Sequence, residues 1–363
     1  MEMKIAESFF NQVAQKTSNN RHVYGAILCV ENSDGSVSWS GSAGELNRED
    51  RFFIASVTKL CITTMILILR NQGRLKLDDI ITQYFPEGYL DGLHLLKGVD
   101  STNQITIMHL LSNTSGIPDY FSHKQANGKT AADDLFGGKD ELWPLERTLD
   151  RVKNMTPNFR PGQKGKARYS DTNFQLLGRI IETITGKDLA DVFKERIFDE
   201  LELANTYAYR DVDDGSPAQM YYKKNKLHLP NYIASVTAEG GVVSTAPELI
   251  IFLKAFFNGQ FFPKKDLEEL KEWNLIWFPG QFYFGIGLEK LWTPRFISPL
   301  KPIREIIGCW GQSGAFAFHH PDTDLYFTGT VNQLSGFGHS AAYKAMISII
   351  KSAHSGKLYS KSP

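Results

Sequence analysis

Phe53-Ile54-Ala55-Ser56-Val57-Thr58-Lys59 is the stretch that decides how this chain folds. Ser56 and Lys59 stand three residues apart at the head of a segment in which Ile62, Met65, Ile66 and Leu69 recur at helical spacing, with Gly73 as a stop. Residues i and i+3 of a helix share a face, their Cβ atoms about 5–6 Å apart, which places the ammonium beside the hydroxyl. A helix N-terminus adds unpaired N–H groups and a partial positive charge, both favourable to an oxyanion. That combination suits nucleophilic acyl transfer. The pattern S-x-x-K is short, and two further copies occur. Ser298-Pro299-Leu300-Lys301 is interrupted by proline, and Ser348-Ile349-Ile350-Lys351 lies inside the last helical segment, away from a free N-terminus. Of the three copies, only the one at Ser56 coincides with a helix start.

Two more segments carry chemistry. Tyr169-Ser170-Asp171 follows Pro161-Gly162 and precedes a helical pattern from Phe174 to Ile184 that Gly186 closes. A tyrosine there can relay a proton between the Ser56 hydroxyl and a leaving group. Its reference pKa of about 10 calls for nearby cations if it is to act near neutrality. Lys59 supplies one, and Lys164, Lys166 and Arg168 are close in sequence. The same residues also read as a core tyrosine beside an aspartate that caps the helix. Gly311-Gln312-Ser313-Gly314-Ala315 lies between two strand-like runs. Glycine there lets a substrate backbone approach an edge strand, and the Ala315 N–H can complete an oxyanion hole with that of Ser56. A glycine-marked bulge is the plainer alternative.

In this order and with these flanks, the three segments resemble the serine β-lactamase and penicillin-binding-protein family. The likeness is to its class C-like branch of β-lactamases, D,D-peptidases, D-aminopeptidases and esterases. Leu110-Leu111-Ser112-Asn113-Thr114-Ser115-Gly116-Ile117-Pro118 resembles the family's "LLsHTSGlp" signature, and Gly240-Gly241-Val242-Val243-Ser244-Thr245 is similar to its "GGlvST" stretch. The likeness runs from about residue 20 to residue 350. It implies that Ser56 is the acylated nucleophile, that Lys59 and Tyr169 share the base and acid roles, and that the N–H groups of Ser56 and Ala315 form the oxyanion hole. It also implies that Asp171, Gln312, Ser313 and Gly314 meet the substrate, a small molecule or short peptide, with no cofactor and no metal. The implied fold is α+β, an antiparallel sheet built from both chain termini and flanked by helices, with an inserted, mainly helical lobe. The segment reading agrees: a sheet domain from residues 1–80 and 232–363, and a lobe from 81–231.

Two positions depart from the family pattern. Asp171 stands where the family usually has Asn, so it accepts hydrogen bonds without donating and is expected to pair with Lys59. Gln312 stands where β-lactamases carry Lys. Losing that cation disfavours anionic β-lactams and cell-wall stem peptides, and fits esterase or aminopeptidase members better.

Elsewhere, apolar spacing predicts a helix from Ile5 to Val13. A hairpin is expected from His22–Val30 and Val37–Trp39 around Asp34-Gly35, and Thr106 should cap a helix over Ile107–Leu111. Ser122 to Asp140 reads as a polar loop. Thr245-Ala246-Pro247-Glu248 reads as a capping box opening a helix that Gly259 ends. Strands are expected at Phe282–Leu288, Ile306–Trp310, Ala315–His319 and Leu325–Val331, then a helix over Ser340–Ser352. The aromatic stretch Trp273–Phe284 suits an acyl pocket, a core or a subunit contact equally.

Forty basic residues balance forty acidic ones among 363, and 42% of residues are hydrophobic. Nothing in that balance suggests a basic footprint for nucleic acid or an anionic membrane, and the chain can bury a sizeable core. Cys29, Cys61 and Cys309 lie in apolar runs with no C-x-x-C pair and read as core residues. Met1-Glu2-Met3-Lys4 lacks a basic-then-apolar leader and no apolar run is long enough to span a bilayer, so a cytoplasmic protein is expected. Oligomeric state is not encoded in any of these features.

Other chemistries fit less well. The nearest match to a nucleophile elbow, Gly338-His339-Ser340-Ala341-Ala342, ends in Ala and leaves no room for a following acid and histidine. His319-His320 with Asp322 and Asp324 reads as a strand end and turn rather than a metal site. A binding or scaffold protein on the same fold, without turnover, is the alternative from another class.

Overall fold

The computed structural model describes residues 4–5, 7–124, 128–277, 282–295, 297–299, 301–356 and 358–360. Helix α1 (Glu7–Ser18) precedes a hairpin of β1 (Gly25–Asn32) and β2 (Ser38–Gly44), whose turn contains Gly35 at φ 75°. The short strand β3 (Phe52–Phe53) leads through a 3₁₀ turn, Ala55–Thr58, into α2 (Lys59–Asn71). The middle of the chain supplies α3 (Ile107–Leu111), α4 (Ala131–Phe136), α5 (Asp171–Thr185) and β4 (Tyr207–Ala208). Then follow β5 (Val242–Ser244) and α6 (Ala246–Asn258). A meander of β6 (Asn274–Trp277), β7 (Phe282–Phe284), β8 (Glu289–Leu291), β9 (Ile306–Trp310), β10 (Ala315–His320) and β11 (Leu325–Thr330) comes next, closed by α7 (Gly336–His354).

The meander and the N-terminal hairpin form one antiparallel eight-stranded sheet, ordered β6-β7-β8-β9-β10-β11-β1-β2. The two ends of the chain meet at β11 and β1, where Thr330 pairs with Ile27 and Leu325 with Asn32. Both faces are covered. Ala26, Leu28, Val30, Phe316, Phe318 and Phe327 pack with residues of α1 and α7, whereas Ile27, Cys29, Ala315 and Ala317 join the core that contains α2 and α6. Burial on both faces explains why β1 reads as a continuous apolar run instead of an alternating one. The three cysteines are free and buried in this sheet and in α2. Among the described residues, no helix is long and apolar enough to cross a membrane.

A second small sheet, ordered β3-β5-β4, sets the approach to Ser56. Val243 pairs with Phe53, and the Ile54 N–H donates to the Val242 carbonyl at 2.9 Å. The glycine-rich stretch 240–245 is thereby docked beside the strand that leads to Ser56.

Four elements differ from the sequence expectation. The helix expected from Ser56 begins as a 3₁₀ turn and becomes α-helical at Lys59, with Ala55 in the left-handed region at φ 45°. Because side chains three apart eclipse in a 3₁₀ turn, the Ser56–Lys59 pairing survives the change. The strand expected over Phe282–Leu288 breaks after Phe284 into a turn, with the Gly285 N–H on the Leu288 carbonyl at 2.8 Å. A side chain on Gly285 or Gly287 would collide with Leu270 or Thr63, so close packing against the neighbouring helices forces the reversal. The expected loop over Ser122–Asp140 contains α4, capped by Thr130 accepting the Asp133 N–H at 3.0 Å. Its Phe136 stacks on Tyr222 at 4.5 Å. Finally, the capping box of α6 is half formed. Thr245 accepts the Glu248 N–H at 3.4 Å, but the Glu248 carboxylate accepts instead from the Asn205 N–H at 2.8 Å and the Thr206 hydroxyl at 2.5 Å.

Candidate active site

Ser56 Oγ receives two donors: Lys59 Nζ at 2.8 Å and the Tyr169 hydroxyl at 2.9 Å. Lys59, the first residue of α2, is fully buried. Its ammonium also donates to the Glu239 carbonyl at 2.9 Å and pairs with Asp171 Oδ1 at 2.7 Å. Three segments far apart in sequence thus converge on one ammonium. The Cys309 thiol donates to the Ser56 carbonyl at 3.0 Å and ties β9 to the turn that carries Ser56.

Tyr169 is positioned by the Leu110–Pro118 segment. Asn113, at φ 58°, accepts the Arg168 N–H on its carbonyl at 2.9 Å and the Ser170 N–H on its Oδ1 at 3.1 Å. Its Oδ1 also takes Asn173 Nδ2 at 3.0 Å, and the Ser170 and Thr172 hydroxyls donate to the Pro118 carbonyl at 3.2 and 3.0 Å. Asn tolerates the left-handed backbone better than most residues, which suits it to this junction.

The third expected segment lies across the site. Gly311 packs against the Ile54 carbonyl so closely that any side chain would collide with it. The Ser313 hydroxyl donates to the Phe53 carbonyl at 2.5 Å, and Gly314 takes φ 92°. Gln312 lines the cavity, but its amide donates to the Leu334 carbonyl at 2.8 Å. The Ala315 N–H makes a 3.4 Å contact with Ser313 Oγ.

Ser56 opens into a cavity of about 940 Å³, walled by Phe121, Phe136, Met220 and Tyr232 on one side and by Phe282 and Trp310 on another. Of the stretch Trp273–Phe284, Phe282 lines the cavity, Trp273 lies against the Lys290 ammonium, and residues 278–281 fall outside the described residues.

Three carboxyl groups in the wall carry no local sequence signal of their own. Asp119 Oδ1 accepts the Asp171 N–H at 3.0 Å. Glu239 accepts the Tyr120 hydroxyl. Glu289 accepts the Trp310 N–H at 2.7 Å. Asp119 directly follows the Leu110–Pro118 segment and Glu239 directly precedes Gly240-Gly241, so adjacency to those signatures was the available hint. Glu289 offered none.

Electrostatics separate these groups. Burial is the largest influence on Lys59 and pulls its pKa down, but the carboxylates of Asp171 and Glu239 outweigh it and hold the ammonium above its ordinary value. Burial, then Asp171, lifts Glu239 well above the usual carboxylate range. Burial and the same aspartate push Asp119 up to about 6, and burial pushes Glu289 up to about 8. Tyr169 is raised well above 10, first by burial and then by Asp171 and Glu289. The cations expected to flank it from Lys164, Lys166 and Arg168 are not what surrounds its hydroxyl: Arg168 is bonded to His123 at 2.7 Å. Both partners of Ser56 are therefore protonated near neutrality. Among the described residues, no three His, Cys, Asp or Glu side chains gather as a metal-binding group.

The curated D-alanyl-D-alanine-carboxypeptidase/endopeptidase AmpH of Escherichia coli K12 is 25% identical over 238 residues, covering 65% of this chain and 56% of the relative. The chain spans about half the length of the curated relatives it matches. Among solved structures, a D-stereospecific amidohydrolase from Streptomyces sp. superposes with a TM-score of 0.76 at 24% identity, covering 93% of this chain and 97% of the other. The D-amino acid amidase of Ochrobactrum anthropi SV3, complexed with L-phenylalanine, gives 0.79 at 22% identity, covering 97% and 99%. These two share the fold, an antiparallel sheet with flanking helices of the β-lactamase/transpeptidase type. The model of the family described as Beta-lactamase matches residues 10–349, nearly the whole length over which these elements run, and the chain belongs to that family.

Proposed function

We infer that this chain is a serine hydrolase that passes through an acyl-enzyme on Ser56, acting on small esters or amides. The observation that carries this reading is the double donation to Ser56 Oγ, from Lys59 at 2.8 Å and Tyr169 at 2.9 Å, at the wall of an apolar cavity. In the reaction, Lys59 loses its proton to solvent and then accepts that of Ser56 as Oγ attacks the carbonyl. Tyr169, still protonated, serves the leaving group and is refilled from Lys59. The N–H groups of Ser56 and Ala315 hold the oxyanion, which takes the place of the long contact to Ser313 Oγ. Water then repeats the sequence on the acyl-enzyme.

The charge pattern favours neutral over anionic substrates, since Gln312 supplies no cation and Asp171 adds an anion beside the nucleophile. That sets the reading nearer to the amidohydrolase and amidase than to the carboxypeptidase relative. Intact mass after treatment with a fluorophosphonate, a penicillin and p-nitrophenyl butyrate tests it. The expected outcome is a fluorophosphonate adduct on Ser56, ester turnover and no lasting penicilloyl adduct, with all labelling lost in Ser56→Ala. Full labelling of that variant would refute the assignment, and no adduct in the native protein would favour a scaffold without turnover.

A further inference from the structure

The run Gly338-His339-Ser340 matches a nucleophile elbow only in part, yet the fold brings its histidine to the wall of the Ser56 cavity. His339 lies in the opening turn of α7, where Gly338 fits against the Gln333 carbonyl with no room for a side chain. Its Nε2 is 3.1 Å from the Gly311 carbonyl, and since a carbonyl only accepts, Nε2 carries the hydrogen. Burial pulls the pKa of the ring below the ordinary histidine value, so it adds no cation to the cavity at pH 7. Gly311 opens the turn between β9 and β10 that ends in Ala315. Its carbonyl also accepts the Gly314 N–H at 2.9 Å, and its own N–H donates to the Ala315 carbonyl at 2.8 Å. With two glycines, one of them Gly314 at φ 92°, this backbone has wide freedom of its own. Side-chain hydrogen bonds tie four successive residues, Trp310 to Ser313, to other parts of the fold. Glu289 accepts the Trp310 N–H at 2.7 Å, and His339 holds the Gly311 carbonyl. The Gln312 amide reaches the Leu334 carbonyl at 2.8 Å, and the Ser313 hydroxyl reaches that of Phe53 at 2.5 Å. Of the four, His339 acts on the carbonyl about which the turn closes.

We propose that His339 is a positioning residue for the oxyanion hole. By holding the Gly311 carbonyl from α7, it fixes the turn so that the Ala315 N–H meets the oxygen of the scissile carbonyl. This rests on the reading of Ser56 as the acylated nucleophile. The last helix then belongs to the catalytic framework as well as covering the sheet. Losing one oxyanion donor outright costs about 10²–10³ in rate, so a turn that keeps the donor but loses one of its pins should lose less.

The test uses p-nitrophenyl butyrate as substrate, butylboronic acid as an inhibitor that becomes tetrahedral on a serine, and butyramide as one that stays trigonal. In His339→Gln the amide nitrogen reaches as far as Nε2, in His339→Asn it falls short, and in His339→Leu the donor is gone. The Asn and Leu variants should lose about ten- to a hundredfold in kcat/KM and weaken the boronic acid by a similar factor. Their affinity for butyramide should change by less than about threefold, because only the tetrahedral form draws on the oxyanion hole. His339→Gln should recover most of both losses. Asn and Gln differ by one methylene, so their comparison stands even where His339→Leu fails to fold. Equal kcat/KM in the Asn and Gln variants, or a parallel weakening of both inhibitors, overturns the positioning role while leaving the hydrolase reading intact. A native protein that neither turns over the ester nor binds the boronic acid overturns the hydrolase reading, and this proposal with it.

Discussion

Lys59 lies 2.8 Å from the hydroxyl of Ser56, but its protonation is decided by a residue from another segment. Asp171 holds the ammonium from 2.7 Å and overrides the downward pull of burial. In the proposed mechanism Lys59 is the base and must be unprotonated, so kcat/KM should rise with pH through the Lys59 titration, on the alkaline side in the native enzyme. Replacing Asp171 by Asn removes the anion and leaves burial with less opposition, so the ascending limb should move down by about one to three pH units. A kcat/KM profile on a neutral ester such as p-nitrophenyl butyrate measures this. A limb that stays in place would mean that another group holds the proton. Ser56, Lys59, Tyr169 and Asp171 were legible because each sits in a short segment whose order and flanks resemble a known pattern. Asp119, Glu239 and Glu289 were not, because a carboxyl becomes part of a site only through what the fold sets opposite it, and nothing in the local sequence encodes that.

At the scale of elements, local rules worked wherever the ends of an element are locally determined. Thr106 caps α3 with a complete capping box, Gly186 closes α5 at φ 70°, and Gly259 closes α6 at φ 77°. They failed where a distant partner competes. Glu248 has the right position to complete the α6 box but serves the Asn205–Thr206 turn instead, and the break after Phe284 arises from packing on Leu270 and Thr63. In α6, then, Thr245 alone carries the cap. Thr245→Ala should lower stability by about 1 kcal/mol, seen as a lower urea midpoint at unchanged m-value. Ester turnover per folded molecule should be unaltered, since neither Thr245 nor α6 lines the cavity at Ser56. A loss of turnover without a shift in midpoint would contradict this separation.

The whole molecule was legible in outline because its central strands are apolar on both faces and come from the two ends of the chain, which leaves one sheet with helices on each side as the economical arrangement. The same double cover places one thiol in each of three load-sharing parts: Cys29 in β1, Cys61 in α2 and Cys309 in β9, each 2% exposed. Burial raises all three far above the ordinary thiol range, to about 12 for Cys29. A thiol that is both covered and protonated reacts only when its surroundings open. The protein therefore carries three built-in clocks for its own breathing. Under native conditions an excess of iodoacetamide should modify them orders of magnitude more slowly than in urea. If the core between the sheet and α2 opens as one unit, peptide mapping would find the three alkylated in step, with catalytic activity lost at the same pace. Modification of Cys309 well ahead of Cys29 would instead show that β9, and the Ser56 turn it supports, loosens before β1 does.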